Sequence, residues 1–136
     1  MNIGHHLIIE CQGQHAHLDE QELEVLLVSA AEAGGASVLQ AHFHPFGAGK
    51  GVTGVVLLAE SHITVHTWPE HDYAAFDVFM CGDCRPLVAA NVITLAYPDA
   101  VTSVRSIERG LPITHAGNLS ANLSAAPSQS DSLRIE

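Results

Sequence analysis

Between Val52 and Met80 the chain reads as three β-strands in quick succession, and this spacing constrains the fold more than any other feature. Val52–Ala59, Ile63–Trp68 and Tyr73–Met80 are rich in β-branched and aromatic residues, with turn chemistry such as Pro69-Glu70-His71-Asp72 between them. A parallel neighbour needs a crossover of about a dozen residues or more. No gap here can hold one, so the three strands predict an antiparallel meander.

The flanking segments fill in the rest. An apolar run within Ile3–Glu10 reads as a strand. From Asp19 the text "DEQELEVLLVSAAEAGG" reads as a helix. Asp19 can cap it and acids fill the first turn. Leu23, Leu26, Leu27, Ala30 and Ala31 form an apolar stripe, and Gly34-Gly35 stop it. Ala36–His44 reads as another strand, followed by the glycine-rich loop Pro45–Gly51, which lacks the GK[ST] ending of a phosphate loop. Pro86 opens a second helix through about Tyr97, Pro98 ends it, and Val101–Glu108 is a final strand. The order β-α-β-β-β-β-α-β predicts an α+β fold: a two-layer α/β sandwich, a mainly antiparallel sheet with two helices on one face. One domain is expected over residues 1–110. Residues 111–136, full of Ser, Ala, Asn and Pro, cannot bury enough apolar area to offset chain entropy and are expected to be a disordered tail.

Charge and composition narrow the function. Five basic against fifteen acidic residues give a formal net charge of −10, which disfavours nucleic acid and anionic membrane surfaces as partners. No apolar run approaches the roughly 20 residues of a bilayer span, and the N-terminus lacks signal-peptide character, so a cytoplasmic location is expected. The cysteines Cys11, Cys81 and Cys84 predict no disulfide framework. Cys81-Gly-Asp-Cys84 has the CxxC spacing of redox and zinc sites, but it has no second ligand pair. Ten histidines accompany a single lysine. His42 and His44 share a strand face, as do His62 and His66, yet spacing supplies no compelling third ligand. No metal is therefore expected. On the residues alone, an enzyme and a small ligand-binding domain both stay open.

The run "GVTGVVLLAESHITVHTWPEHDYAAFDVFMCGD", Gly51–Asp83, resembles the small prokaryotic S-adenosylmethionine decarboxylases, a pyruvoyl-dependent family. "GHHLIIE", "AHFHPF" and "SIERG" extend the resemblance over about residues 3–110. It implies a proenzyme that cuts itself between Glu60 and Ser61, leaving chains 1–60 and 61–136, with Ser61 converted into a pyruvoyl group that forms a Schiff base with a small-molecule substrate. It implies that His66 and Thr53 serve processing and that Cys81 is the acid that reprotonates the product. Phe46, Trp68 and Glu70 match the family's adenine-holding positions. A homodimer or larger assembly of cleaved units, in the service of spermidine and polyamine synthesis, is also implied. An N→O acyl shift suits this text, because it needs a strained peptide bond before a hydroxyl residue and a base that works near neutral pH.

The match has departures. Thr53 stands where the family usually has serine, and the loop through Pro45 is about one residue longer than the usual pattern. Asp72 replaces a usual glycine, and a carboxylate there suits an ammonium or guanidinium group. A pyruvoyl-dependent ornithine or arginine decarboxylase on the same scaffold is therefore the alternative reading. Alternation also sets Ser61 on one face of its strand and His66 on the other. Their cooperation requires a bend, a bulge, or His66 reaching in from a neighbouring strand or chain.

Overall fold

The structure, a computed structural model, describes residues 3–113. Six strands, β1 Gly4–Gln12, β2 Val38–Pro45, β3 Val52–Leu58, β4 Ser61–Trp68, β5 Tyr73–Cys81 and β6 Val101–Arg109, form one sheet in the order β2-β3-β4-β5-β1-β6. Every pairing is antiparallel. The helices α1 Glu20–Ala33 and α2 Pro86–Leu95 pack against each other and against one face of the sheet. The result is the expected two-layer α+β sandwich, with the expected meander over β3, β4 and β5 and with β2 paired to β3 at its edge. Most of the tail expected over 111–136 lies outside the described residues. Among those described, no helix is long and apolar enough to cross a membrane.

Local chemistry accounts for the elements. The Asp19 side chain accepts the Glu22 N–H at 2.8 Å and Glu22 accepts the Asp19 N–H at 2.9 Å, a reciprocal cap that satisfies two otherwise unpaired donors of α1. Pro86 opens α2 and, lacking an N–H, sits where one would go unpaired. Leu23, Leu27, Ala30 and Ala31 from α1 and Ala89, Ala90 and Ile93 from α2 are buried on Leu7, Ile9, Val56, Ile63, Val65, Val78 and Met80 of the sheet. At the β2–β3 pairing Phe43 lies across Gly54, where an added Cβ would stand 2.0 Å from the ring. Only glycine fits there.

Among the described residues, the other face of the sheet carries no helix. Strict alternation sends His6, Ile8 and Glu10 of β1, His62, Thr64, His66 and Trp68 of β4, and Asp77, Phe79 and Cys81 of β5 to this side. Apolar side chains stay uncovered on it: Leu57 is 44% exposed, Trp68 39% and Ile107 44%.

Candidate active site

β3 and β4 are joined by only Ala59 and Glu60, since Leu58 pairs directly with Ser61. Glu60 takes φ 61°, the left-handed region, while Ala59 does not. The second position of such a turn normally calls for glycine. A glutamate held there stores conformational strain in the residue that precedes Ser61. The Ser61 hydroxyl accepts the Cys81 backbone N–H at 3.2 Å, so the hairpin end and the end of β5 meet.

Thr53 and His66 are register partners on β3 and β4, and their side chains are hydrogen-bonded, Thr53 Oγ1 to His66 Nδ1, at 3.0 Å. The His66 ring lies 6.1 Å from that of Trp68, which stacks on Tyr73 at 5.5 Å with 22° between planes. Tyr73 is hydrogen-bonded in turn to Glu10. Gly51 makes this edge possible, because its α-carbon presses against the Thr67 carbonyl where a Cβ would stand 2.3 Å from oxygen. The Val52 N–H donates to Thr67 Oγ1 at 2.8 Å.

Two groups of predicted site residues therefore emerge, Ser61 with the Cys81 backbone, the Cys81 side chain lying on the other face, and Thr53 with His66 and Trp68. Within one chain they stay apart. Ser61 shares the helix side with Ile63 and Val65, whereas His66 lies on the open face five residues on, roughly 16 Å along the strand. No bulge interrupts the β3–β4 register, which leaves the tension seen in the sequence in place.

The outlying candidates are also placed. Phe46, 55% exposed, packs edge-on to His44 at 4.8 Å in the β2–β3 loop. Glu70 is exposed in the 3-10 turn Pro69–His71. Asp72 follows it with φ 53°, which explains why glycine suits that position, and its Oδ1 accepts from His17 Nε2 at 2.7 Å. The extra carboxylate is thus tied to the turn before α1. An open cleft of about 510 Å³ beside the glycine loop is lined by His17, Leu18, Pro45 and Pro69, among others, but not by Ser61, His66 or Cys81.

Spacing missed one cluster. His6 Nε2 lies 2.5 Å and His62 Nε2 3.3 Å from the same Asp77 oxygen, Oδ2, while Thr64 donates to Oδ1. Asp77 is thus the third-position carboxylate that the sequence reading did not find, brought over by β5. The three candidate ligand atoms lie within 4.8 Å of one another, near enough to address a metal. Polarity argues for protons instead. Arg109 Nη1 is 2.9 Å from His6 Nδ1, and a guanidinium only donates, so Nδ1 accepts and Nε2 carries the hydrogen given to Asp77. A metal-bound imidazole shows the reverse, its second nitrogen donating outward. Burial tends to raise the Asp77 pKa, but the hydrogen bonds from Thr64, His6 and His62 outweigh it and hold the carboxyl below its ordinary value.

The thiols differ in setting. Cys11 is fully buried and burial pushes its pKa up to about 12, making it inert near neutrality. Cys81 is half-buried at the end of β5. Burial raises the Cys84 thiol, and the neighbouring Cys81 and Asp83 add to the shift.

A two-layer α+β scaffold that ends a strained hairpin on a serine, beside a strand-end cysteine, is the arrangement expected of a self-processing decarboxylase. The family model described as S-adenosylmethionine decarboxylase matches residues 5–110. The S-adenosylmethionine decarboxylase proenzyme of Thermodesulfovibrio yellowstonii is 40% identical over 116 residues, covering 83% of this chain and 84% of that protein. The proenzyme of Caldanaerobacter subterraneus subsp. tengcongensis is 39% identical over 112 residues, covering 80% of this chain and 90% of the relative. The crystal structure of the adenosylmethionine decarboxylase from Aquifex aeolicus VF5 superposes with TM-score 0.73 at 29% identity, covering 84% of this chain and 96% of that one. This chain belongs to the S-adenosylmethionine decarboxylase family.

Proposed function

We propose that the protein is a cytoplasmic S-adenosylmethionine decarboxylase that activates itself by cutting between Glu60 and Ser61, giving chains 1–60 and 61–136, and that supplies the aminopropyl donor for spermidine and other polyamines. The observation that carries this reading is the left-handed Glu60 immediately before Ser61, whose hydroxyl is already held at the Cys81 N–H. Ser61 Oγ attacks the Glu60 carbonyl, an ester replaces the peptide bond, and removal of the Ser61 α-proton releases Glu60 as a carboxylate and leaves dehydroalanine, whose imine tautomer takes up water and loses ammonia to give the pyruvoyl group. The residues fit a pyruvoyl group at position 61, because the N–H that now holds Ser61 Oγ offers a donor to an oxygen there. That group supplies a carbonyl electrophile and an electron sink for loss of carbon dioxide. Cys81 returns a proton to the product carbon. Trp68 and Phe46 offer aromatic surface to the adenine, with Glu70 beside them.

A homodimer completes the site in this reading. The Thr53–His66 pair cannot serve the Ser61 of its own chain, yet it lies on the helix-free face, where Leu57, Trp68 and Ile107 leave apolar surface uncovered. A second copy packed on that face would cover this surface and bring its His66 to the end of the first copy's β3–β4 hairpin, where the Glu60–Ser61 peptide bond lies at the sheet edge. Asp72 is engaged by His17 through Oδ1, so its presence is accounted for without a basic substrate, and the relatives named above favour S-adenosylmethionine over ornithine and arginine.

Purified wild type should run as two chains and release carbon dioxide from S-adenosylmethionine but not from ornithine or arginine, and Ser61→Ala should stay uncut. An uncut, fully active wild type would sink the reading. Co-expression of Ser61→Ala with His66→Ala should cut the His66→Ala chain; no cutting in the mixed dimer would refute the contribution in trans.

A further inference from the structure

The proposed function leaves Cys84 and its CxxC spacing unused. Cys81, Gly82, Asp83 and Cys84 form a tight turn between β5 and α2, closed by the Cys84 N–H donating to the Cys81 carbonyl at 3.1 Å. Such a turn holds its first and fourth α-carbons within about 7 Å. A disulfide requires roughly 4.4–6.8 Å, so the backbone already has the required span. Both cysteines are half-exposed, whereas Cys11 is sealed in the core. Among the described residues the Cys84 thiol makes one long hydrogen bond, 3.7 Å to the Gly35 carbonyl, which an outward rotation of the side chain would release at small cost.

We propose that Cys81 and Cys84 are a thiol-modification site, closing to an internal disulfide on exchange with a low-molecular-weight disulfide such as oxidised glutathione. A thiolate of the pair attacks the small disulfide, forming a mixed disulfide and expelling one thiolate. The second cysteine loses its proton and attacks the protein-bound sulfur, expelling the other. Two protein thiols are oxidised and one small disulfide is reduced to two thiols, so atoms and electrons balance. The consequence for activity rests on the proposed role of Cys81, because a sulfur in a disulfide carries no proton to give. Oxidation would halt turnover without touching the fold, and reduction would restore it.

The test uses the full chain in two forms, cleaved wild type and uncut Ser61→Ala, each incubated with oxidised glutathione and then alkylated. Peptide mapping should show both forms about 2 Da lighter, with a Cys81–Cys84 link and Cys11 free. Cys84→Ser should keep the basal activity of wild type when reduced and should never show the lighter species. Free Cys81 and Cys84 after oxidation, a stable glutathione adduct in their place, or a link to Cys11 would each overturn the site. The oxidised wild type should lose at least tenfold in decarboxylation, recovered with dithiothreitol. A linked enzyme with full activity would instead refute Cys81 as the acid and leave the modification site standing, which separates the two failures.

Discussion

Replacing Glu60 by glycine tests whether backbone strain drives self-cleavage. Glu60 sits at φ 61° in a two-residue hairpin, and a non-glycine residue there costs about 1–2 kcal/mol. Glycine removes that cost from the folded precursor. Cutting the next bond frees Glu60 from the hairpin, so whatever part of the strain is released at the transition state accelerates wild type but not the variant. With tenfold in rate per 1.36 kcal/mol, the variant should cut up to about 5- to 30-fold more slowly. Equilibrium stability responds differently, because glycine also loosens the unfolded chain by about 0.4–1 kcal/mol. In a Ser61→Ala background, urea unfolding should show Glu60→Gly more stable by only about 0.5–1 kcal/mol. The rate is read by pulsed cell-free synthesis and a gel time course of precursor and products. A variant that is stabilised but cuts as fast as wild type would show that the left-handed turn is incidental and that catalytic groups alone set the rate.

Other perturbations follow from the same geometry. Asp72→Gly relieves a second left-handed residue and loses an exposed His17 contact worth about 0–1 kcal/mol, so stability should change by less than about 1 kcal/mol. Its preference for S-adenosylmethionine should also stay unchanged; a gain of activity on arginine or ornithine would restore the alternative. Burial lowers the pKa of His15, only partly offset by its bond to the Ile93 carbonyl, so below about pH 6.5 the unfolded chain binds a proton that the folded one refuses. Stability should therefore fall as pH drops through that value toward the folded pKa, and His15→Gln should remove this component in urea titrations at pH 7 and 5. Asp77, with its pKa depressed, contributes stability above about pH 3.9 that is lost as pH falls through the folded value. Asp77→Asn should cost about 1–3 kcal/mol at neutral pH and lose that acid dependence; an unchanged acid midpoint would refute the carboxylate's role as the hub of the cluster.

What the sequence discloses depends on how far apart the interacting residues lie along the chain. The α1 cap, the β3–β5 meander and the opposition of Ser61 to His66 are set by neighbours within a few residues or by one tight turn, and all three were readable before any coordinates. The Asp77 cluster was only partly so. Given the turn at Pro69–Asp72, Asp77 falls opposite Thr64 and diagonal to His62, which a register count through that turn could have found. Nothing local announces that β1 inserts between β5 and β6, and this insertion alone delivers His6 to Asp77 and Arg109 to His6. Asp72 shows the converse failure: chemical type suggested a substrate contact, but the left-handed backbone and the partner fifty-five residues away give it a structural explanation. Local text thus predicts which side chains share a face, whereas strand order decides which of them meet. The same logic makes the helix-free face the informative surface of this fold. It gathers His66, Trp68, Cys81 and the Asp77 cluster from three strands, β1, β4 and β5, and in the proposed dimer it is the surface through which a second copy would reach the Glu60–Ser61 hairpin.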